Sequence, residues 1–333
     1  MRWTHHHGAY FYQVPRGLEA LWGGKRMFRL GKTLPEAYKA WAERLETNEK
    51  ANTIGQLLDR YALEVVPIKA PKTRIENARH ITTLRAVFGA MRLDALQPKH
   101  VYAYVDKRTA KVAAHREVEV LSHAFTKAVQ WGYMNKHPFK GEVRLEGEKP
   151  RERYVSDEEL VGALGLPTVR KRGSVLSVQA YIRLKLLTGM RRGDLLRLRV
   201  SDLADDGVHV RTSKTGKPVI YTWTPELRAA VAEAKAARPV DLAPWLFCTR
   251  RGECYINEET GEAPGWKSMW QRFMARVMKE TELKEPFTEH DLRAKVASDA
   301  ESLERARALL AHADSRITQR VYRRKPEKVR PAR

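Results

Sequence analysis

The chain reads as mainly α with small β-sheets, an α+β protein, and three observations carry that assignment. Apolar residues recur at three- and four-residue spacing through residues 53–139 and through most of 154–326. Alternation of the strand kind is confined to short runs at 10–14, 26–31 and 207–223. Polar caps precede the helical runs, with Thr33 and Glu36, and again Ser156 and Glu159, at capping-box spacing.

Taken in order, residues 1–46 form a small β-sheet with one amphipathic helix. Tyr10, Tyr12 and Val14 alternate, "RMFRLG" offers a second strand, and Leu34, Ala37, Tyr38, Trp41 and Leu45 follow helical spacing behind the Thr33 cap. His5, His6 and His7 are read as opening the first strand rather than as metal ligands. Arg16, Lys25, Arg26, Arg29 and Lys32 sit on or beside the strands, a basic face that suits either a nucleic-acid groove or plain solvation. Residues 52–140 form a helical domain, whose stretches "TIGQLLDRYALEVV", "RHITTLRAVFG", "KHVYAYVDKRT" and "HREVEVLSHAFTKAVQWGYM" predict four helices.

Residues 141–153 are charged and nearly free of large apolar side chains, which predicts an exposed linker. The last and largest domain spans 154–326. A helix through Ala180, Leu184 and Leu187 leads into "TGMRRGDLLRL", and "GVHVRTSKTGKPVIYTW" predicts a hairpin turning at Thr215 and Gly216. Pro225 opens another helix, later ones begin near Ser268, Thr288 and Ser302, and Asp314 or Ser315 caps a short last one containing Tyr322. A basic tail, 327–333, closes the chain.

Composition narrows the function. The 333 residues are 43% hydrophobic, enough for real cores, and the formal net charge is +22. That excess is spread as +4 over residues 1–50, +7 over 51–150 and +11 over 151–333, so the partner it implies is a polyanion held by the whole chain, nucleic acid first. No stretch approaches the roughly 18–20 apolar residues of a membrane span. The N-terminus lacks the apolar core of a signal peptide, which predicts a cytoplasmic protein with no membrane partner. Cys248 and Cys254 read as two reduced thiols, and neither a metal site nor a cofactor is expected.

Four stretches carry reactive side chains. "TGMRRGDLL" places Arg191 after a glycine between apolar helices, a planar fork suited to phosphate oxygens. "TSKTGK" sets Lys214 on a hairpin shoulder, a point-charge ammonium able to protonate a leaving alkoxide. "EHDLRAK" puts His290 and Arg293 three apart on one helix face. "LLAHADSRITQRVY" sets His312 ten residues ahead of Tyr322. Each alone has an ordinary structural reading; together they supply charge stabilisation, acid, base and nucleophile for a phosphoryl transfer.

In kind, order and approximate spacing these boxes resemble those of the tyrosine recombinases, and within them the integrases of phages and other mobile elements. The resemblance covers roughly Thr53 to Tyr322, and residues 1–46 resemble the arm-type DNA-binding domain of many such integrases. It implies a helical core-binding domain at 52–140 and a catalytic domain at 154–326. By the same resemblance Tyr322 is the nucleophile of a 3′-phosphotyrosyl intermediate, Arg191 and Arg293 hold the non-bridging oxygens, His290 is the base, Lys214 the acid, and His312 a phosphate hydrogen-bonding group. The partners it implies are double-stranded DNA attachment sites, a homotetramer on DNA, a DNA-bending host factor and an excisionase, and the place is the bacterial cytoplasm or nucleoid. Three positions depart from the usual pattern: Ala294 follows the "HDLR" arginine where a larger residue is common, Ala311 replaces a glycine, and Asp194 stands where Glu is commoner. The alternatives are a non-enzymatic DNA-binding factor on the same fold and an arm-independent resolvase.

Overall fold

The computed structural model describes residues 3–15, 19–46, 51–147, 150–168 and 172–325. It divides into two compact units, Met1–Glu148 and Lys149–Arg333.

The first unit opens with an antiparallel sheet in the order β1 (Trp3–His6), β2 (Ala9–Gln13), β3 (Met27–Gly31). His5 and His6 lie within β1, and His7 takes a positive φ of 47° in the turn to β2. Alternation sends Tyr12 and Leu30 to one face, where α1 (Leu34–Glu46) covers them, and Tyr12, Trp22 and Trp41 meet with ring centroids 4.4–4.7 Å apart. Such aromatic packing gives a small sheet a core that its length alone would not provide. The Thr33–Glu36 capping box forms: Glu36 accepts from Thr33 N at 3.4 Å, Thr33 Oγ1 accepts from Glu36 N at 3.4 Å, and Glu36 also accepts from Lys32 N at 2.8 Å. Lys25, Arg26, Arg29 and Lys32 are all exposed, and Arg16 lies outside the described residues.

Four α-helices come next, α2 (Ile54–Glu64), α3 (Pro71–Phe88), α4 (Pro98–Lys107) and α5 (Lys111–Gln130). Their apolar stripes converge on one core containing Leu57, Tyr61, Leu84, Leu121 and Phe125. Inside it the buried Glu117 is satisfied by Arg108 and Tyr104, which removes the cost of an unpaired buried carboxylate. Residues 141–147 are less free than their charge suggests. Val143 and Leu145 pack against this core, Tyr102 Oη donates to the Glu142 carbonyl at 3.2 Å, and Arg144 N donates to Tyr102 Oη at 2.9 Å.

The second unit is helical around a two-stranded sheet. Its elements are α6 (Asp157–Leu164), α7 (Ser174–Thr188), α8 (Arg192–Leu196), β4 (Gly207–Arg211), β5 (Pro218–Thr222), α9 (Pro225–Ala237), α10 (Pro264–Glu280), α11 (Glu289–Asp299), α12 (Leu303–Leu309) and α13 (Ser315–Ile317). The last runs into a π-helical turn, Thr318–Tyr322. Ser156 caps α6 with Glu159, and Thr224, Thr288, Ser302 and Asp314 cap α9, α11, α12 and α13 in turn. α10 starts at Pro264, ahead of the expected Ser268, because proline fits a first helical position where its missing N–H is not needed. Tyr181, Phe247 and Trp266 centre the core, and α7 passes through it against α9, α10 and α11. The basic tail 327–333 lies outside the described residues.

Candidate active site

Four segments of the second unit meet around Tyr322. α7 ends at Gly189, whose φ of +64° puts it in the left-handed region. A Cβ there would stand 2.9 Å from Leu310 Cδ2, so only glycine lets the "TGMR" turn lie this close to the end of α12. The turn delivers Arg191 to the N-cap of α8. Arg191 is partly buried, and its Nη1 is buried with no hydrogen-bond partner among the described residues.

Arg293 rises from α11 and is 2% exposed. It donates to the carbonyls of Gly189 and Leu310, the latter at 2.7 Å, and to His312 Nε2 at 3.0 Å, while its Nε has no partner among the described residues. A guanidinium always donates, so His312 Nε2 is the acceptor. The proton of the neutral ring then sits on Nδ1, which donates to Thr318 Oγ1 at 2.8 Å. Tyr322 lies between two imidazoles, its ring centroid 5.0 Å from His290 and 4.9 Å from His312, with the Arg293 guanidinium carbon 5.5 Å away. Lys214 is exposed on the β4–β5 turn and close enough to His312 to act on its charge. All six residues picked out in the sequence therefore lie in one place.

Both imidazoles are held neutral. Burial, then Arg293, Arg191, Lys214 and His290, push His312 down to about 4. Burial, then Arg324, Arg293 and Lys185, push His290 to about 4, against the opposing pull of Asp291. His290 is nonetheless exposed by area, so solvent softens its shift more than that of the enclosed His312. A histidine whose folded pKa is depressed contributes stability that is complete above the unfolded value near 6.5 and is lost as pH falls toward the folded one. Thermal stability is thus expected to decline from about pH 6.5 to about pH 4. His312→Gln, studied by melting across that window, should flatten the slope; an unchanged slope would exclude His312 as a source.

Several supporting contacts were not assigned from the sequence. Asp194 is buried, and its Oδ1 accepts from Ser213 N at 2.7 Å and Ser213 Oγ at 2.6 Å, which fixes the shoulder carrying Lys214. Asp291, fully buried, pairs with Arg324 at 2.6 Å. Arg324 also donates to the Arg153 carbonyl at 2.9 Å, while Ser298 Oγ bonds the Tyr322 carbonyl and the Arg324 N–H. The backbone that carries the tyrosine is thereby clamped to α11. Lys185, in the middle of the buried stripe Tyr181, Leu184, Lys185, Thr188, was detectable as a charge at a core position.

The departures have a physical meaning in the fold. Ala294 is buried beside Tyr322 in a cluster of small side chains, Ala297 and Ala306 among them. Ala311 sits at φ +50°, a conformation that costs a residue bearing a Cβ about 1–2 kcal/mol. Ala311→Gly is expected to stabilise the protein by about 0.5–1 kcal/mol after allowing for the looser unfolded chain. A melt that drops instead would mean the methyl contributes more packing than strain.

The fold and the site together define a buried cationic centre: guanidiniums with unpartnered donors among the described residues, two imidazoles and one phenol on an α+β domain. Residues 168–328 match the phage integrase family. Two relatives are the integrase of Escherichia phage HK022, 27% identical over 240 residues, and that of Enterobacteria phage 434, 26% identical over 233 residues. Each match covers 65% of this chain and 63% of the relative, so the chain spans less than two thirds of either one's length. Among solved structures, a lambda integrase tetramer bound to a Holliday junction is similar in fold, with TM-score 0.64 and 21% identity over 99% of this chain and 97% of the other. The Tn1549 transposon integrase in complex with circular intermediate DNA gives TM-score 0.62 at 18% identity, over 80% of this chain and 94% of the other.

Proposed function

We propose that the protein is a site-specific DNA recombinase, an integrase that breaks and rejoins DNA through a tyrosine nucleophile to integrate or excise a phage or mobile element. The observation that carries this reading is the pair of buried guanidinium donors, Arg191 Nη1 and Arg293 Nε, left unpartnered among the described residues beside a phenol flanked by two neutral imidazoles. Buried donors without partners are costly, and a phosphodiester's non-bridging oxygens would satisfy them.

In this reading Tyr322 Oη attacks the scissile phosphorus, its proton passes to His290, the bond from phosphorus to the 5′-oxygen breaks, and Lys214 protonates the departing oxygen. The products are a 3′-phosphotyrosine and a free 5′-hydroxyl. A phenol with an ordinary pKa near 10 is a poor nucleophile at neutral pH, so the surrounding positive charge matters as much as the base. The same cations stabilise the phosphorane-like charge, each such donor contributing on the order of 10²–10³ in rate. A bound phosphate also raises the pKa of both imidazoles, which lets His290 accept a proton and lets His312 turn from acceptor to donor. Since the ester conserves the phosphodiester bond energy, a second 5′-hydroxyl can reverse the step without ATP.

The proposal extends to partners. Double-stranded attachment sites would be the substrate, residues 1–46 would hold arm sites with Lys25, Arg26, Arg29 and Lys32, and exchange between two duplexes would use a homotetramer with a DNA-bending host factor and an excisionase. Among the described residues no helix is long and apolar enough to cross a membrane, and action on DNA would place the protein in the cytoplasm at the nucleoid. No observation favours the non-enzymatic factor or the arm-independent resolvase. The test is a nicked duplex carrying the attachment core, incubated with protein in EDTA and run on a denaturing gel. A covalent protein–DNA band is expected, because side chains supply the charge; cleavage that appears only on adding a divalent cation would contradict the proposed mechanism.

A further inference from the structure

Lys185 is 2% exposed inside a core whose other members include Ile182, Leu184, Met190, Leu195 and Leu196. A leucine would fill such a position without the desolvation cost of an ammonium, so the charge requires an account. Its Nζ donates to the Met190 carbonyl at 2.7 Å and lies 5.5 Å from the Tyr181 ring centroid. Met190 immediately precedes Arg191 and is itself 2% exposed. Three side chains hold this turn: Thr188 Oγ1 accepts from Met190 N at 3.3 Å, Arg293 donates to the Gly189 carbonyl, and Lys185 takes the Met190 carbonyl.

We propose that Lys185 is a positioning residue for Arg191: by holding the Met190 carbonyl it fixes the peptide plane that aims the Arg191 fork. Without it, a buried carbonyl would lose its donor, and rotation of the 190–191 peptide would be the cheapest way to find another. The role rests on the recombinase reading, in which Arg191 binds the scissile phosphate. The groups facing the ammonium are Glu289, His290 and Arg293 from α11, Arg192 and Asp194 from α8, and Tyr181 on its own helix. Glu289 is in turn held by Trp266 Nε1 at 2.8 Å. Burial first, then Arg293 and Arg192, lower Lys185 to about 7 against the pull of Glu289 and Asp194. The turn is therefore firmest when the amine carries its proton, since the charged donor makes the stronger hydrogen bond.

The test compares wild type with Lys185→Met, which keeps an unbranched side chain of similar length and removes the donor. Amide hydrogen exchange in the DNA-free protein should speed up at residues 189–191, with thermal stability and DNA affinity unchanged or improved. Single-turnover cleavage of the nicked duplex should slow about tenfold or more, as small misplacements of a phosphate-binding group do. The wild-type rate should show an ionisation near 7 that the variant lacks. Cleavage at the wild-type rate, or slowed only in step with lost folding or DNA binding, would overturn the assignment. Should the wild type itself form no covalent complex, the recombinase reading fails, and unchanged exchange at 189–191 would separately remove Lys185 from its role in the turn.

Discussion

Tyr322→Phe is expected to fold and bind core DNA as the wild type does and to form no covalent complex with it. The substitution removes one oxygen and leaves the ring, so the packing between His290 and His312 and the contact with Arg293 survive. The clamp survives too, since Ser298 bonds the Tyr322 carbonyl rather than its hydroxyl. Stability should change by no more than about 1 kcal/mol, the usual net worth of one side-chain hydrogen bond. Activity should vanish, because the two imidazoles and the guanidinium around the ring offer no hydroxyl or thiol to replace the phenol as nucleophile. A gel shift, a melt and a denaturing gel on the same preparation measure all three. Residual covalent complex would mean that another residue attacks the phosphate.

Arg293→Ala should damage both fold and chemistry. The guanidinium ties α11 to the Gly189 and Leu310 carbonyls and to His312, so its loss leaves those acceptors buried and short of a donor. Removing one partner of such a buried charged network costs about 3–5 kcal/mol, to be read by denaturant unfolding. In the proposed mechanism it also removes a phosphate contact, worth on the order of 10²–10³ in cleavage rate. Arg293→Lys separates the two effects: its ammonium can restore part of the carbonyl bonding, yet it cannot reproduce the fork. Stability should recover in part while cleavage stays low. If the alanine variant were as stable as wild type, the bonds described for Arg293 would contribute nothing to the fold.

The fold was legible where local chemistry decides it. Ser156 with Glu159, Thr33 with Glu36, Pro225 and the Thr288 cap are short-range signals, and each marks a helix start in the structure. The linker was harder, because the docking of Val143 and Leu145 depends on Tyr102, some forty residues earlier in the chain. A π-helical turn before Tyr322 has no signature in side-chain spacing. The six residues gathered in the site could be picked out from their types and order; of the groups that support them, Lys185 and Asp194 left a local trace in the sequence, while Asp291, Ser298 and Arg324 did not. Arg324 reads as one more cation near the basic end of the chain; its partners, the Arg153 carbonyl and the buried Asp291, lie 171 and 33 residues away. Ala311 was visible as a departure, and only its φ shows what that departure costs.

The most direct measurement is to trap the covalent complex on a nicked attachment-core duplex, digest protein and DNA, and identify the modified peptide by mass spectrometry. A single adduct is expected, a nucleotide joined through its 3′-phosphate to Tyr322. An adduct on any other side chain, or a 5′-phosphate linkage on Tyr322, would contradict the proposed mechanism.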